Sequence, residues 1–334
     1  MRHVLTSLLS LCLILSLGAA SALAQDATPT TDSPFADLGL PTLDISVTAD
    51  AYEGIPASLE AGRYLVTVTA GEDTGEFGGG VAFIQPAGMT GDEFVGLLGE
   101  LAGPPDESGV GSAAATPIEG GAVEASPAAE GEMGGVPPFL FESAMAGGAY
   151  APPGQSAQVV LDLTPGEWVA WGDDPAAPQQ PVAFDVTGEM PADLPEPDSS
   201  ATLIMGEYII EVAEGELTTG SYVVRIDNIG AQPHFIGWVQ VPDGLTEAQL
   251  ETVLEEEATA EMTGTPPVYS DFNPEEDITA EVTFTGTQST GTSQWVQVHD
   301  VEAGTHVLIC FFPDMGDGRP HAYHGMYTIV EIGE

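Results

Sequence analysis

The chain carries the same segment twice, and that repeat limits the folds open to it. AGRYLVTVTAGEDTGEFGGGVAFIQPAGMTGDEF, starting at Ala61, has its counterpart in TGSYVVRIDNIGAQPHFIGWVQVPDGLTEAQL, starting at Thr219. Gly62 aligns with Gly220 and Tyr64 with Tyr222; after a two-residue slip, Pro86 aligns with Pro242 and Gly88 with Gly244. Thr90-x-x-Glu93 and Thr246-x-x-Gln249 both read as capping boxes that open a helix. Further on, LTPGEWVAWGDDP matches VEAGTHVLICFFP, with Gly166 opposite Gly304 and Pro175 opposite Pro313. The period is too long for a solenoid, so it indicates two copies of one domain. Within the copies the hydrophobic pattern has period two. SYVVRI, FIGWVQV, AEVTFTG, QWVQVHDV, HVLICFF and YTIVEI read as short strands separated by Gly, Pro, Asp and Asn. No βαβ rhythm is present. The expected class is all-β, with two tandem Greek-key β-sandwich domains over 41–188 and 200–334, each with a short inserted helix. The second helix should pack Leu250, Val253 and Leu254 inward and turn its Glu run to water. A disordered leader is expected over 25–40, a disordered low-complexity Gly/Ala/Pro/Glu loop over 103–137, and a Pro-rich linker over 189–199.

Residues 1–24 read as a secretory signal. Arg2 precedes an apolar run from Val4 to Leu17, and small residues at Ala22 and Ala24 prepare cleavage before Gln25. Leu11 before Cys12 does not suit a lipoprotein signal, and no later segment is long and apolar enough to span a bilayer. A secreted or extracytoplasmic location is expected. The 52 Asp and Glu against 4 Lys and Arg leave a formal charge of −48. Such a surface repels nucleic acid and anionic membrane, and suits salt adaptation or docking to a basic protein. Cleavage would leave a single cysteine, Cys310. No internal disulfide can form, and a free thiol in an oxidising place is either buried and inert or held by a metal.

Every histidine beyond residue 24 lies in the second copy: His234, His299, His306, His321 and His324. The framework is shared by both copies and these donors are not, which points to a site in the second copy alone. A thiolate, imidazoles and a thioether form a donor set suited to copper. The thiolate supplies a strong equatorial bond, two imidazoles complete a plane that tolerates both oxidation states, and a neutral thioether can sit at long range. Structural zinc more often uses paired Cys or closely paired His. In PHAYHGMYTIV, His321 is preferred over His324, which directly precedes Gly325-Met326 and should face solvent; Met315 is an outside candidate beside Met326. His299 and His306 read as polar strand positions.

These residues also resemble a known family. NIGAQPH (Asn228, Gly230 and Pro233 leading to His234) is similar to the early-loop signature of the cupredoxins, the family of plastocyanin and azurin. AGTHVLIC resembles the strand that ends on their cysteine, with His306 at the usual Tyr place. PHAYHGMYTIV resembles their His-to-Met segment and last strand. The resemblance covers 200–334; over the first copy it is one of fold only. It implies one type 1-like copper held by His234, Cys310 and His321 in the plane and Met326 on the axis, with one-electron transfer, possible only with a redox partner, here expected to be basic. The ten residues between Cys310 and His321 exceed the family's usual spacing, and the GDG within them suits a compact turn. Phe235, Trp238, Phe311, Phe312 and Tyr323 form either core or a docking patch. Ile309 and Phe311, not His, flank Cys310, so the electron route to a second copper used in multicopper enzymes is missing. The chain is therefore expected not to be an enzyme. Copper storage or delivery, and a metal-free binding module, are the alternatives.

Overall fold

A computed structural model of the protein describes residues 33–74, 78–101, 137–172 and 180–333. The signal segment 1–24, the leader up to residue 32 and the low-complexity loop up to residue 136 lie outside the described residues. The first half supplies β1 (Thr42–Val47), β2 (Tyr52–Glu53), β3 (Ser58–Glu60), β4 (Gly62–Ala70), β5 (Gly79–Gln85), β6 (Ala144–Ala151), β7 (Ser156–Leu163), β8 (Gly166–Trp171) and β9 (Val182–Thr187). The second supplies β10 (Ala201–Gly206), β11 (Ile209–Gly215), β12 (Gly220–Asn228), β13 (Gly237–Val241), β14 (Ala280–Phe284), β15 (Ser293–Val301), β16 (Gly304–Ile309) and β17 (Tyr327–Ile332). Strands such as β1 alternate exposed and buried positions throughout, as a sheet with one wet face requires.

The two halves repeat each other apart from β3, which pairs with β9 at one sheet edge and has no counterpart in the second half. The sheet order β2-β1-β4-β7 recurs as β11-β10-β12-β15, and β6-β5-β8-β9 recurs as β14-β13-β16-β17. In both, the first strand runs parallel to its inner neighbour: β1 to β4, and β10 to β12. Small devices recur too. Gly166 and Gly304 open β8 and β16 at φ 145 and 140, a backbone region favouring glycine. Two residues later Trp168 Nε1 bonds the Thr164 carbonyl (2.7 Å), and His306 Nε2 faces the Glu302 carbonyl at 3.0 Å. His306 thus takes the place of a core tryptophan. Both capping boxes form: Glu93 Oε2 accepts from Thr90 N (2.8 Å), and Thr246 with Gln249 closes the second. The helix Glu247–Thr263 buries Leu250, Val253 and Leu254 as expected, and also Glu257, whose carboxyl burial pushes up to about 7.

The halves do not hang on a linker. β7 and β15, equivalent strands, pair antiparallel through Val160 with Trp295 and Val159 with Val296, so one eight-stranded sheet crosses the molecule. On the other layer, Gly147 N donates to the Thr287 carbonyl (2.9 Å) and Gly286 N to the Gly148 carbonyl (3.1 Å). One buried apolar cluster runs through both halves. The expected disordered leader is ordered where it is described. Phe35, 1% exposed, packs with Leu65, Val160, Val223 and Trp295 on the far side of the joined sheet, because that seam offers an apolar face to bury. The segment 189–199 contains no strand or helix. It is nevertheless held: Arg63 Nη1 donates to the Pro195 carbonyl (3.1 Å), and Arg225 pairs with Glu196.

Candidate metal centre

His234 lies in the loop between β12 and β13, which Asn228 ties down. The Asn228 amide donates to the carbonyls of Gln232 (2.9 Å) and Gln288 (2.7 Å), and its Oδ1 accepts from Gly230 N (2.9 Å). His234 and Gln288 then exchange two backbone bonds of 3.0 and 2.8 Å. Cys310 directly follows β16, and its N–H donates to the Met326 carbonyl (3.1 Å). His321 N–H donates to the Phe312 carbonyl (2.8 Å), and Met326 N–H to the His321 carbonyl (3.0 Å). The long insertion is pinched off. Pro313 and Pro320 bridge, Asp314 N–H bonds the Arg319 carbonyl (2.7 Å), and Asp314 Oδ1 accepts from Gly316 and Asp317. The main chain therefore brings His321 next to Phe312 as though the intervening hairpin were absent.

Three donors converge. His234 Nδ1 and His321 Nδ1 are 3.0 Å apart, and Cys310 Sγ lies 3.9 and 3.8 Å from them. The in-plane point equidistant from the three atoms is about 2.1 Å from each, which matches metal–imidazole bonds and falls just short of a metal–thiolate bond. An ion therefore fits in or near that plane. His234, Cys310, His321 and Met326 are all 0% exposed. Burial lowers the His234 pKa to about 4; burial, then the neighbouring His234, lowers that of His321 to about 3. Burial pushes the Cys310 thiol up to about 12. All three are neutral at pH 7, and only a bound cation makes a thiolate here favourable. The donor set of one soft thiol and two neutral imidazoles fits copper.

The remaining candidates fall outside this group. His324 Nε2 faces Asp317 Oδ1 at 3.2 Å on the outer side of the hairpin, and Met315 is 38% exposed. His299 is exposed on β15, and His306 is buried in β16 against Trp238 Nε1 (3.2 Å). Phe235, Trp238, Phe311 and Phe312 are buried at 7% exposure or less, so they are core and not an open docking patch. Phe312 stands between His321 (6.0 Å between ring centres) and Phe141 of the first half (5.9 Å).

Sequence reading missed the groups behind the imidazoles. Glu207 Oε1 lies 3.7 Å from His234 Nε2, and Asp314 Oδ2 lies 3.9 Å from His321 Nε2. Gln232 Nε2 bridges the two carboxylates at 3.0 and 2.9 Å, and Tyr208 OH donates to Asp314 (2.6 Å). Among 52 acidic residues none stood out; Gln232, two positions before His234, was the only local signal.

No family model matches the chain, and no curated protein does. Solved structures are similar to it at low identity. A sodium-dithionite-reduced auracyanin from Roseiflexus castenholzii shares 21% identity at TM-score 0.26, covering 40% of this chain and 95% of that one. A copper nitrite reductase from Nitrosomonas europaea shares 11% at 0.22, covering 87% and 93%, and a blue copper oxidase from the same organism shares 12% at 0.20, covering 87% and 86%. These values are too low to carry a function across. Enzymes nonetheless stand among the similar structures, which corrects the expectation that the chain is not an enzyme. The missing His beside Cys310 speaks only of one electron route to a second copper and excludes no reaction class.

Proposed function

We propose that the protein is an exported, cupredoxin-like copper protein that passes single electrons. Its two tandem β-sandwich halves span 41–188 and 200–334, with 189–199 between them. His234, Cys310, His321 and Met326 would hold one type 1-like copper. The observation that carries this reading is the fully buried triangle of two Nδ1 atoms and one Sγ, sized for an ion at its centre.

When bound, copper supplies a one-electron couple between Cu(II) and Cu(I). The chain's own groups set the conditions. Cys310 gives up its thiol proton on binding, and the two imidazoles bind without losing one. Backbone bonds fix all three ligand positions, so little rearrangement accompanies a change of oxidation state. Burial keeps water off the ion. The formal charge of −48 supports a basic redox partner, whose encounter would weaken as salt rises. Residues 1–24 would be removed during export, leaving Gln25 as the first residue.

A copper titration of the full chain tests this. One copper per chain with an intense visible thiolate-to-copper band is expected, and Cys310→Ser abolishes the band. A chain that retains no copper sinks the proposal, and one that binds only Cu(I) and stays colourless replaces electron transfer with storage or delivery.

A further inference from the structure

Nε2 of both His234 and His321 is fully buried and lacks a hydrogen-bond partner. Each nevertheless faces a carboxylate just beyond bonding range, Glu207 at 3.7 Å and Asp314 at 3.9 Å. The two carboxylates come from different parts of the chain. Glu207 sits on the turn joining β10 to β11, where Tyr208 adopts φ 59; Asp314 opens the pinched hairpin. Gln232 joins them through one amide nitrogen, at 3.0 Å from Glu207 and 2.9 Å from Asp314. The approach of Glu207 depends on a glycine. A Cβ at Gly230 would lie 2.7 Å from His234 Nε2 and 2.8 Å from Glu207 Oε1, so a larger residue would force them apart.

On the copper reading above, we infer that Glu207 and Asp314 are positioning residues of the metal centre, accepting from the outer Nε2–H of His234 and His321. The chemistry follows from the tautomers. Binding through Nδ1 uses that atom's lone pair, so each neutral ring keeps its hydrogen on Nε2, where it points at a carboxylate that can accept it in a charge-assisted hydrogen bond. The two carboxylates thus favour the metal-ready tautomer of both rings. They also stabilise the more positive state of the centre, Cu(II) over Cu(I).

The test uses the full chain loaded with copper, read by visible absorption and by the midpoint of a redox titration. Glu207→Gln and Asp314→Asn keep the side-chain shape and remove the charge. Each is expected to retain the thiolate band while its preference for Cu(II) over Cu(I) falls about tenfold, a midpoint rise of about 59 mV for a one-electron couple. Glu207→Asp recovers part of the shift. Asp317→Asn removes the same charge from the same hairpin but faces His324, and leaves the midpoint in place. Unchanged midpoints in Glu207→Gln and Asp314→Asn overturn the inference, as does an equal rise in Asp317→Asn. Should Asp314→Asn fail to fold, Glu207→Gln decides alone, because Glu207 lies on an exposed turn. A parent chain that takes up no copper defeats the copper reading itself; copper uptake with silent variants defeats only this inference.

Discussion

Three side chains at one point make a sharp statement about protons. His234 and His321, with pKa values near 4 and 3, carry no charge at pH 7, and Cys310, near 12, keeps its hydrogen. Copper loading at neutral pH should therefore release one proton per ion, from Cys310 alone. Each neutral imidazole binds through one nitrogen and keeps its hydrogen on the other. Because both histidine pKa values lie below the range and the thiol value above it, the count stays at one from pH 6 to pH 8. An indicator dye in weakly buffered solution reads it, and Cys310→Ser should bring it to zero. A count of two would mean that a histidine is charged before binding. At this scale the three donors that converge could be picked out in the sequence, since Cys310 and the histidines are scarce. Glu207 and Asp314 could not, because abundant carboxylates acquire a role only from what stands beside them.

Elements hold these residues in place through contacts between the halves. Gln288, fully buried, exchanges backbone bonds with His234 and also bridges to Ala146 of β6. The chain passes this crossing only because Gly286 lacks a side chain: a Cβ there would lie 2.4 Å from Gly148 N. Gly286→Ala should break the bond from Gly286 N to the Gly148 carbonyl and displace the Gln288 segment. The expected cost is about 2 kcal/mol of stability, with weaker copper retention, measured by denaturant unfolding and by competition with a copper chelator. Unchanged retention would mean that the first half does not position His234. On the second-half side of this crossing the strands were legible from period-two patterning, and the two longer helices from their capping boxes; β6, an Ala- and Gly-rich strand, was not. Nor was burial of Glu257: its spacing from Leu250, Val253 and Leu254 puts it on their face of the helix, but a carboxylate there reads as part of the solvated Glu run.

Across the whole molecule, the seam of the eight-stranded sheet is the common support. Trp295 lies there under Arg63 and Arg225, with guanidinium carbons 4.4 and 5.3 Å from its ring, and Phe35 closes the same patch. Half of the chain's 4 Lys and Arg residues are spent on this one tryptophan. Successive residues of a strand point to opposite faces, so this cluster faces away from the core shared by Val159 and Val296. Phe35→Ala should cost about 3 kcal/mol or more in denaturant unfolding while leaving the copper band unchanged. A loss well under 1 kcal/mol would show that residues 33–40 are not a clasp.

Local order could be read from the residues themselves: strand periodicity, turn glycines and helix caps each depend on neighbours a few positions apart. Tertiary structure decided the rest. Which nitrogens face one another, which two of 52 acidic groups lie behind them, and whether the two halves share a sheet all depend on pairings between residues far apart in the chain. No periodicity encodes such pairings; the packing of the two halves selects them by burying apolar area and leaving few polar groups unpaired.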